Sequence, residues 1–301
     1  MIVRSRPGPF TVLFALRGSI VPRVASRVGI VAAISAVVTA VHHLRPGLFA
    51  ELPAAPFTLL GLGLSIFLGF RNSACYDRWW EARRQWGQLL TEVRNLSRQF
   101  EALLPGRHDV PTRCIVAFTL ALAARLRGTD PVVAARRWLE PEDAAALAGR
   151  SNVPDVILRQ LTARLAAAME RGDVTDVSFA AMESHVAALC GIQAACDRIR
   201  TTPTPFAYSL LLHRTAWLFC LLVPFALVGA TGLAAPLLAA ILAYAFFGLD
   251  ALGDELEEPF ALRPNTIPLD AMARTVEIEL LEALGERDLP APIRPVDYIL
   301  S

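Results

Sequence analysis

Lysine is absent from this chain: all 29 basic residues are arginine, and 28 acids bring the net charge to +1. A balance so close to neutral excludes the basic stripe that a nucleic-acid binder needs, so no nucleic-acid partner is expected. Catalytic signatures are missing too. There is no GxSxG, HExxH, Walker loop or strand-to-helix GxGxxG, and the one GLGLS lies inside an apolar run. The five cysteines, Cys75, Cys114, Cys190, Cys196 and Cys220, are odd in number and lack CxxC spacing, so neither a disulfide framework nor a zinc site is expected. His42-His43 lacks a third ligand at metal spacing. No cofactor, metal site or enzymatic activity is expected. Nor does a short apolar run ending in small residues precede Val28, so no cleavable leader is read.

Apolar sequence is what the chain has in quantity. Of 301 residues, 54% are apolar and 19% charged, and the mean hydropathy is +0.44. Four uncharged segments stand out: Val28 to Leu44, Pro56 to Phe70, Thr215 to Val228 and Leu233 to Leu249. Each reads as a membrane helix. Arg4, Arg6, Arg17, Arg23 and Arg27 precede the first without an acid among them, and the loop before the second holds only Arg45 and Glu51. Arg71, Arg78, Arg83 and Arg84 follow the second span; Arg198, Arg200 and Arg214 flank the third. By the positive-inside rule both termini and the long middle segment face the cytoplasm. The expected plan is an all-α membrane protein: segment 1–27, spans one and two within 28–70, a cytoplasmic helical bundle over 71–204, spans three and four within 205–252, and a tail over 253–301. Turn signals near Pro105-Gly106, Gly128 to Pro131, Gly149 to Pro154 and Gly172-Asp173 divide the bundle, and a last short helix is expected near Leu269 to Leu284.

The second span is the most informative. Pro56 to Phe70 is about 22 Å of helix against a hydrocarbon core of about 30 Å, and no turn signal separates it from the charged, aromatic run that follows. One long helix therefore leaves the bilayer, with protein or water around its lower part. Leu62, Ile66 and Phe70 fall at i, i+4 and i+8 and share one face. That face is read either as lipid contact or core, or as a hydrophobic constriction that gates ions by dewetting, and the short uncharged length favours the constriction. Gly61, Gly63, Ser65 and Gly69 on other faces allow close helix packing.

Arg214 and Asp250 lie equally far from the turn between spans three and four. This predicts a structural ion pair among His213, Arg214, Asp250 and Asp254, since an unpaired charge at that depth is costly. A proton relay through the same residues is the functional alternative. Asp254, Glu255, Glu257 and Glu258 extend an acidic helix end that needs cationic partners, for which Arg71, Arg78 and Arg198 are available. Tyr76, Trp79, Trp80 and Trp86 form either an interfacial belt or a packing surface for the bundle.

The stretches FLGFRNSACYDRWWEARRQWGQL, TPTPFAYSLLLHRTAWLFCLLVPFAL and DALGDELEEPF with NTIPLDAMARTVEIEL, in this order, resemble the bacterial branch of the bestrophin family. The resemblance covers nearly the whole chain. It implies a homopentamer with a single central pore lined by the second span, a neck at Leu62, Ile66 and Phe70, and a second constriction at the cytoplasmic exit near Val177. Its partners would be the lipid bilayer, further copies of itself and permeating monovalent ions. Animal bestrophins are calcium-activated chloride channels whose calcium clasp uses acids just after a Pro-Phe. Here Pro259-Phe260 is followed by Ala261, Leu262, Arg263, Pro264, Asn265 and Thr266, without a carboxylate, so calcium activation is not expected. Bacterial members look like monovalent cation channels, and the acids near the inner vestibule lean the same way. The expectation is a cation channel, for example for Na+. The alternatives are a chloride channel, a proton-coupled transporter or a non-conducting scaffold.

Overall fold

The structure, a computed structural model, describes residues 1–3, 8, 15–16, 18–45, 47–48 and 53–301. Arg4, Arg6, Arg17 and Glu51 lie outside the described residues. In chain order the α-helices are α1 (Val21–Leu44), α2 (Ala54–Leu103), α3 (Asp109–Arg127), α4 (Pro131–Ala135), α5 (Pro141–Ala145), α6 (Val153–Glu170), α7 (Asp176–Thr201), α8 (Phe206–Thr231), α9 (Ala235–Glu257) and α10 (Leu269–Ala283). They fall into two compact units, one of residues 4–79 and 203–258, the other of 1–3, 80–202 and 259–301.

The first unit holds α1, the start of α2, α8 and α9. Pro22 stands in the first turn of α1, where its missing N–H is no loss, and the helix starts seven residues before the apolar run at Val28. The extra turns are stable as helix because Arg23 and Arg27 meet acids of α9. α8 and α9 form a hairpin. Gly232, at φ 52°, breaks the helix, a 3₁₀ turn spans Gly232–Ala234, and Pro236 opens α9. Val31, Leu68, Ala216, Cys220, Ala243 and Phe247 lie at the centre of the apolar core. The Phe219 and Phe246 rings meet edge to face at 4.9 Å, and Trp217 tilts against Phe247 at 4.7 Å.

Among the described residues, four helical stretches are long and apolar enough to cross a membrane, judged by length and composition. They are α1 (mean hydropathy 2.0), α2 (1.5), α7 (1.2) and the 52-residue stretch from Phe206 to Glu257 (2.2). The last would be about 78 Å long if straight, far beyond a hydrocarbon core of about 30 Å, and its break at Gly232 divides it into two spans. α7 differs from the sequence expectation, which puts it in the polar bundle. Alanine and cysteine raise its hydropathy, yet it carries Asp176, Glu183, Asp197, Arg198 and Arg200 and buries Met182, Val186, Leu189 and Cys196 within the second unit.

That second unit is helical, with α3 at its centre. Periodicity at Cys114, Phe118, Leu122 and Leu126 suggests one buried face, but Ile115, Val116, Ala117 and Ala121 are buried as well. α4, α6, α7 and α10 all pack on α3, which explains its apolar composition on every side. Gly128 at φ 75° ends α3 in a left-handed cap, Asp130 caps α4 by accepting from the amides of Val132 and Val133, and Thr175 caps α7 through Ser178. Burial pushes the Cys114 and Cys196 thiols up to about 12, so both behave as apolar core groups.

The boundary between the two units falls within α2, after Trp79. Arg71, Cys75 and Arg78 are still held by the first unit, through contacts that charge patterning alone does not reveal.

Candidate functional site

α2 has two opposed faces where it belongs to the first unit. Leu64, Leu68, Arg71 and Cys75, spaced by four, three and four residues, are all buried. The opposite face presents Leu62, Ile66 and Phe70, which are 59%, 48% and 65% exposed. Three large hydrocarbon side chains in one file, each about half exposed, form an unpartnered apolar stripe. The stripe turns polar one turn later, at exposed Ser73 and Asp77. Leu59, one turn earlier on the same face, and Phe67, on a neighbouring one, are exposed too, so exposure alone does not single out these three residues.

Packing holds the stripe in place from behind. A Cβ on Gly61 would stand 3.2 Å from the Phe219 ring, so the glycine sets how closely α2 and α8 approach. Tyr208 on α8 donates its hydroxyl hydrogen to the Phe67 carbonyl at 3.1 Å.

Arg71 is the second anchor. Its side chain is 2% exposed, and it donates to Asp250 Oδ1 at 3.0 Å, to the Asp250 carbonyl at 3.2 Å, to Asp254 Oδ1 at 2.5 Å and to Glu257 Oε2 at 3.4 Å. The other oxygen of Asp250 faces His213 Nδ1 at 2.8 Å and Arg27 at 3.7 Å. Arg23 holds Glu255 at 2.8 Å, and Glu257 also accepts from the Thr204 amide at 2.9 Å and from the Thr204 hydroxyl. Such a set is stable only when complete, because each buried charge that loses its partner keeps its desolvation cost. Gly253 makes the room. A Cβ there would stand 2.6 Å from Asn72 Oδ1 and 3.1 Å from Arg71 Nη1.

The expected ion pair is thus corrected in its cation. His213, Asp250 and Asp254 do come together, but Arg214 is exposed and has no partner among the described residues; Arg71 takes its place. The reason is helical phase. Leu212, Ala216, Phe219 and Cys220 define the inner face of α8, whereas Arg214 shares the outer file with Leu211, Leu218 and Leu222. Of the other cations expected on the acidic helix end, Arg78 donates to the Glu257 carbonyl at 3.3 Å, while Arg198 pairs with Glu81. Arg71 was open to detection, since it continues the spacing of Leu64 and Leu68. Arg23 and Arg27 carried no such signal.

Val177 lies in the first turn of α7 and is 75% exposed. Among the described residues no group of three metal-ligating side chains occurs, His42-His43 included.

A family model described as "Bacterial/Fungal Bestrophin protein" matches residues 1–282. A Mesorhizobium japonicum protein named as a voltage-dependent anion channel-forming protein is 44% identical over 291 residues, covering 95% of this chain and 93% of the relative. The similarly named Escherichia coli protein YneE is 35% identical, with 98% of each chain covered. Among solved structures, a bacterial bestrophin homolog from Klebsiella pneumoniae superposes with a TM-score of 0.84 at 37% identity, covering 87% of this chain and 99% of that one.

Proposed function

Because the chain belongs to the bacterial/fungal bestrophin family and is a membrane protein of the ion-channel class, not an enzyme, we propose that five copies assemble around one axial pore that passes monovalent ions. The observation that carries this reading is the stripe of Leu62, Ile66 and Phe70. Five such stripes facing one another make a hydrocarbon neck, too apolar to hold a continuous water column when narrow and conducting when it widens. Val177 supplies a second apolar constriction at the cytoplasmic exit.

Charge placement supports an inner-membrane orientation with both termini in the cytoplasm. Arg23, Arg27, Arg71, His213 and the acids of α9 gather at one end of the first unit, while the Gly229 to Gly232 turn at the other end carries no charge.

A hydrocarbon neck does not choose the sign of the ion. The acids that argue for cations from sequence are engaged: Asp250, Asp254, Glu255 and Glu257 all meet arginine. The cation reading therefore loses its support, and the relatives' names favour chloride. The contact of His213 with Asp250 serves the arginine cluster in this scheme and relays no proton.

Reconstituted liposomes test the proposal. Ile66→Ala and Phe70→Ala raise passive ion flux over the unsubstituted channel; unchanged or lower flux through correctly assembled protein overturns the neck. The reversal potential in asymmetric NaCl then gives the ion, moving to the chloride equilibrium potential for an anion pore and to that of sodium for a cation pore. Flux that saturates and follows a proton gradient would replace the channel with a coupled transporter.

A further inference from the structure

The loop Pro259–Pro268, which precedes α10, is folded around a cation that the chain itself supplies. Arg127, in the last turn of α3, reaches into it with a side chain only 5% exposed. Its Nη1 donates to the carbonyls of Phe260 at 2.8 Å and Ala261 at 2.6 Å, and its Nη2 to the carbonyl of Ile267 at 3.3 Å and to Asp270 Oδ2 at 3.4 Å. The loop is pinned in this shape from within. The Thr266 hydroxyl meets the carbonyls of Ala261 and Arg263 at 2.6 and 2.8 Å, and the Ile267 amide donates to the Pro259 carbonyl at 3.0 Å. A cavity of about 180 Å³ adjoins, lined in part by Leu262, Pro264 and Thr266.

Three backbone carbonyls and one carboxylate converging on a point are the donors that a hard divalent cation takes from a loop. Here they do not fit one. The guanidinium already occupies their focus with a fixed positive charge, the set contains a single carboxylate, and Arg263 adds a second positive charge to the same loop. A planar guanidinium, offering donors on separate nitrogens, satisfies these three carbonyls better than an ammonium would. Burial draws Arg127 below the usual guanidinium value, yet an arginine stays charged across any working pH.

We infer that Arg127 is the permanent resident cation of the Pro259–Pro268 loop, so that the loop keeps its shape without a metal and responds to no free calcium. This goes beyond the channel reading, and its test does not depend on conduction. In detergent-solubilised full-length protein, melting is the same in EDTA and in millimolar CaCl₂, and calorimetric titration with CaCl₂ gives no binding heat. Arg127→Ser melts lower by at least about 4 °C, and millimolar methylguanidinium recovers part of that loss by donating again to the vacated carbonyls. Binding of one calcium per chain to the unsubstituted protein, with its heat abolished by Asp270→Asn, overturns the inference. So does an Arg127→Ser protein that melts like its parent. Should Arg127→Ser fail to fold, the calcium titration of the unsubstituted protein decides by itself.

Discussion

Arg71 shows how one side chain changes the reading of a whole segment. In the sequence it is the first charge after an apolar run and so marks the edge of the membrane. In the structure it is buried among Asp250, Asp254 and Glu257, facing the acids whose sign had suggested cation conduction. Removing one partner of a buried charge set leaves the others desolvated and unpaired. Arg71→Met is therefore expected to cost about 3–5 kcal/mol, while the double change Arg71→Met with Asp250→Asn recovers part of the loss. Thermal denaturation in detergent, run as a double-mutant cycle, measures the coupling; additive losses would deny that the two residues form a pair. Gly253→Ala acts on the same set from outside, since its methyl group would enter the space of Asn72 and the guanidinium. What was legible at this scale was the need for partners. The choice of cation was not, because Arg214 satisfies depth as well as Arg71 does and only helical phase separates them.

Helices report their existence in sequence more faithfully than their neighbours. Turn residues at Gly128, Gly172 and Gly232 end α3, α6 and α8 because a positive φ is needed at or just beyond each end, and those breaks were legible. Burial was less so. α3 looks like an amphipathic surface helix and is enclosed on every side, since periodicity records one apolar face and says nothing of how many helices pack around it. α2 is the strongest case. Its 50 residues, about 75 Å of helix, include the single rod from Pro56 to Leu90 that was readable in sequence. The approach of Gly61 to Phe219 fixes how α2 sits against α8. Gly61→Leu forces α2 away from α8 and is expected to cost about 1–3 kcal/mol, the usual range for overpacking. The paired change Gly61→Leu with Phe219→Ala returns volume to the contact. If the pair melts no higher than Gly61→Leu alone, the glycine does not govern this approach.

At the scale of the whole molecule, one protomer displays a file of half-exposed hydrocarbon that its own chain leaves open. The protomer mass is 32.7 kDa, and the proposed assembly has five times that mass. Mass alone does not locate the pore, because five chains could each enclose a separate path. Mixing does. In a closed ring around a shared axis every chain contributes one side chain to the same constriction, so assemblies with different numbers of altered chains have necks of different width. Coexpressing unsubstituted chains with Ile66→Ala chains and recording single channels should then give a ladder of conductance levels, one for each number of altered chains in the ring. Paths enclosed within single chains would give only the two parental levels, whatever the mixing ratio. The spacing of the ladder adds a second reading. If Leu62, Ile66 and Phe70 form the narrowest part of the pore, the first altered chains change conductance steeply. If Val177 limits flow instead, the ladder is compressed until Val177 is also replaced by alanine, because two resistances in series are governed by the larger.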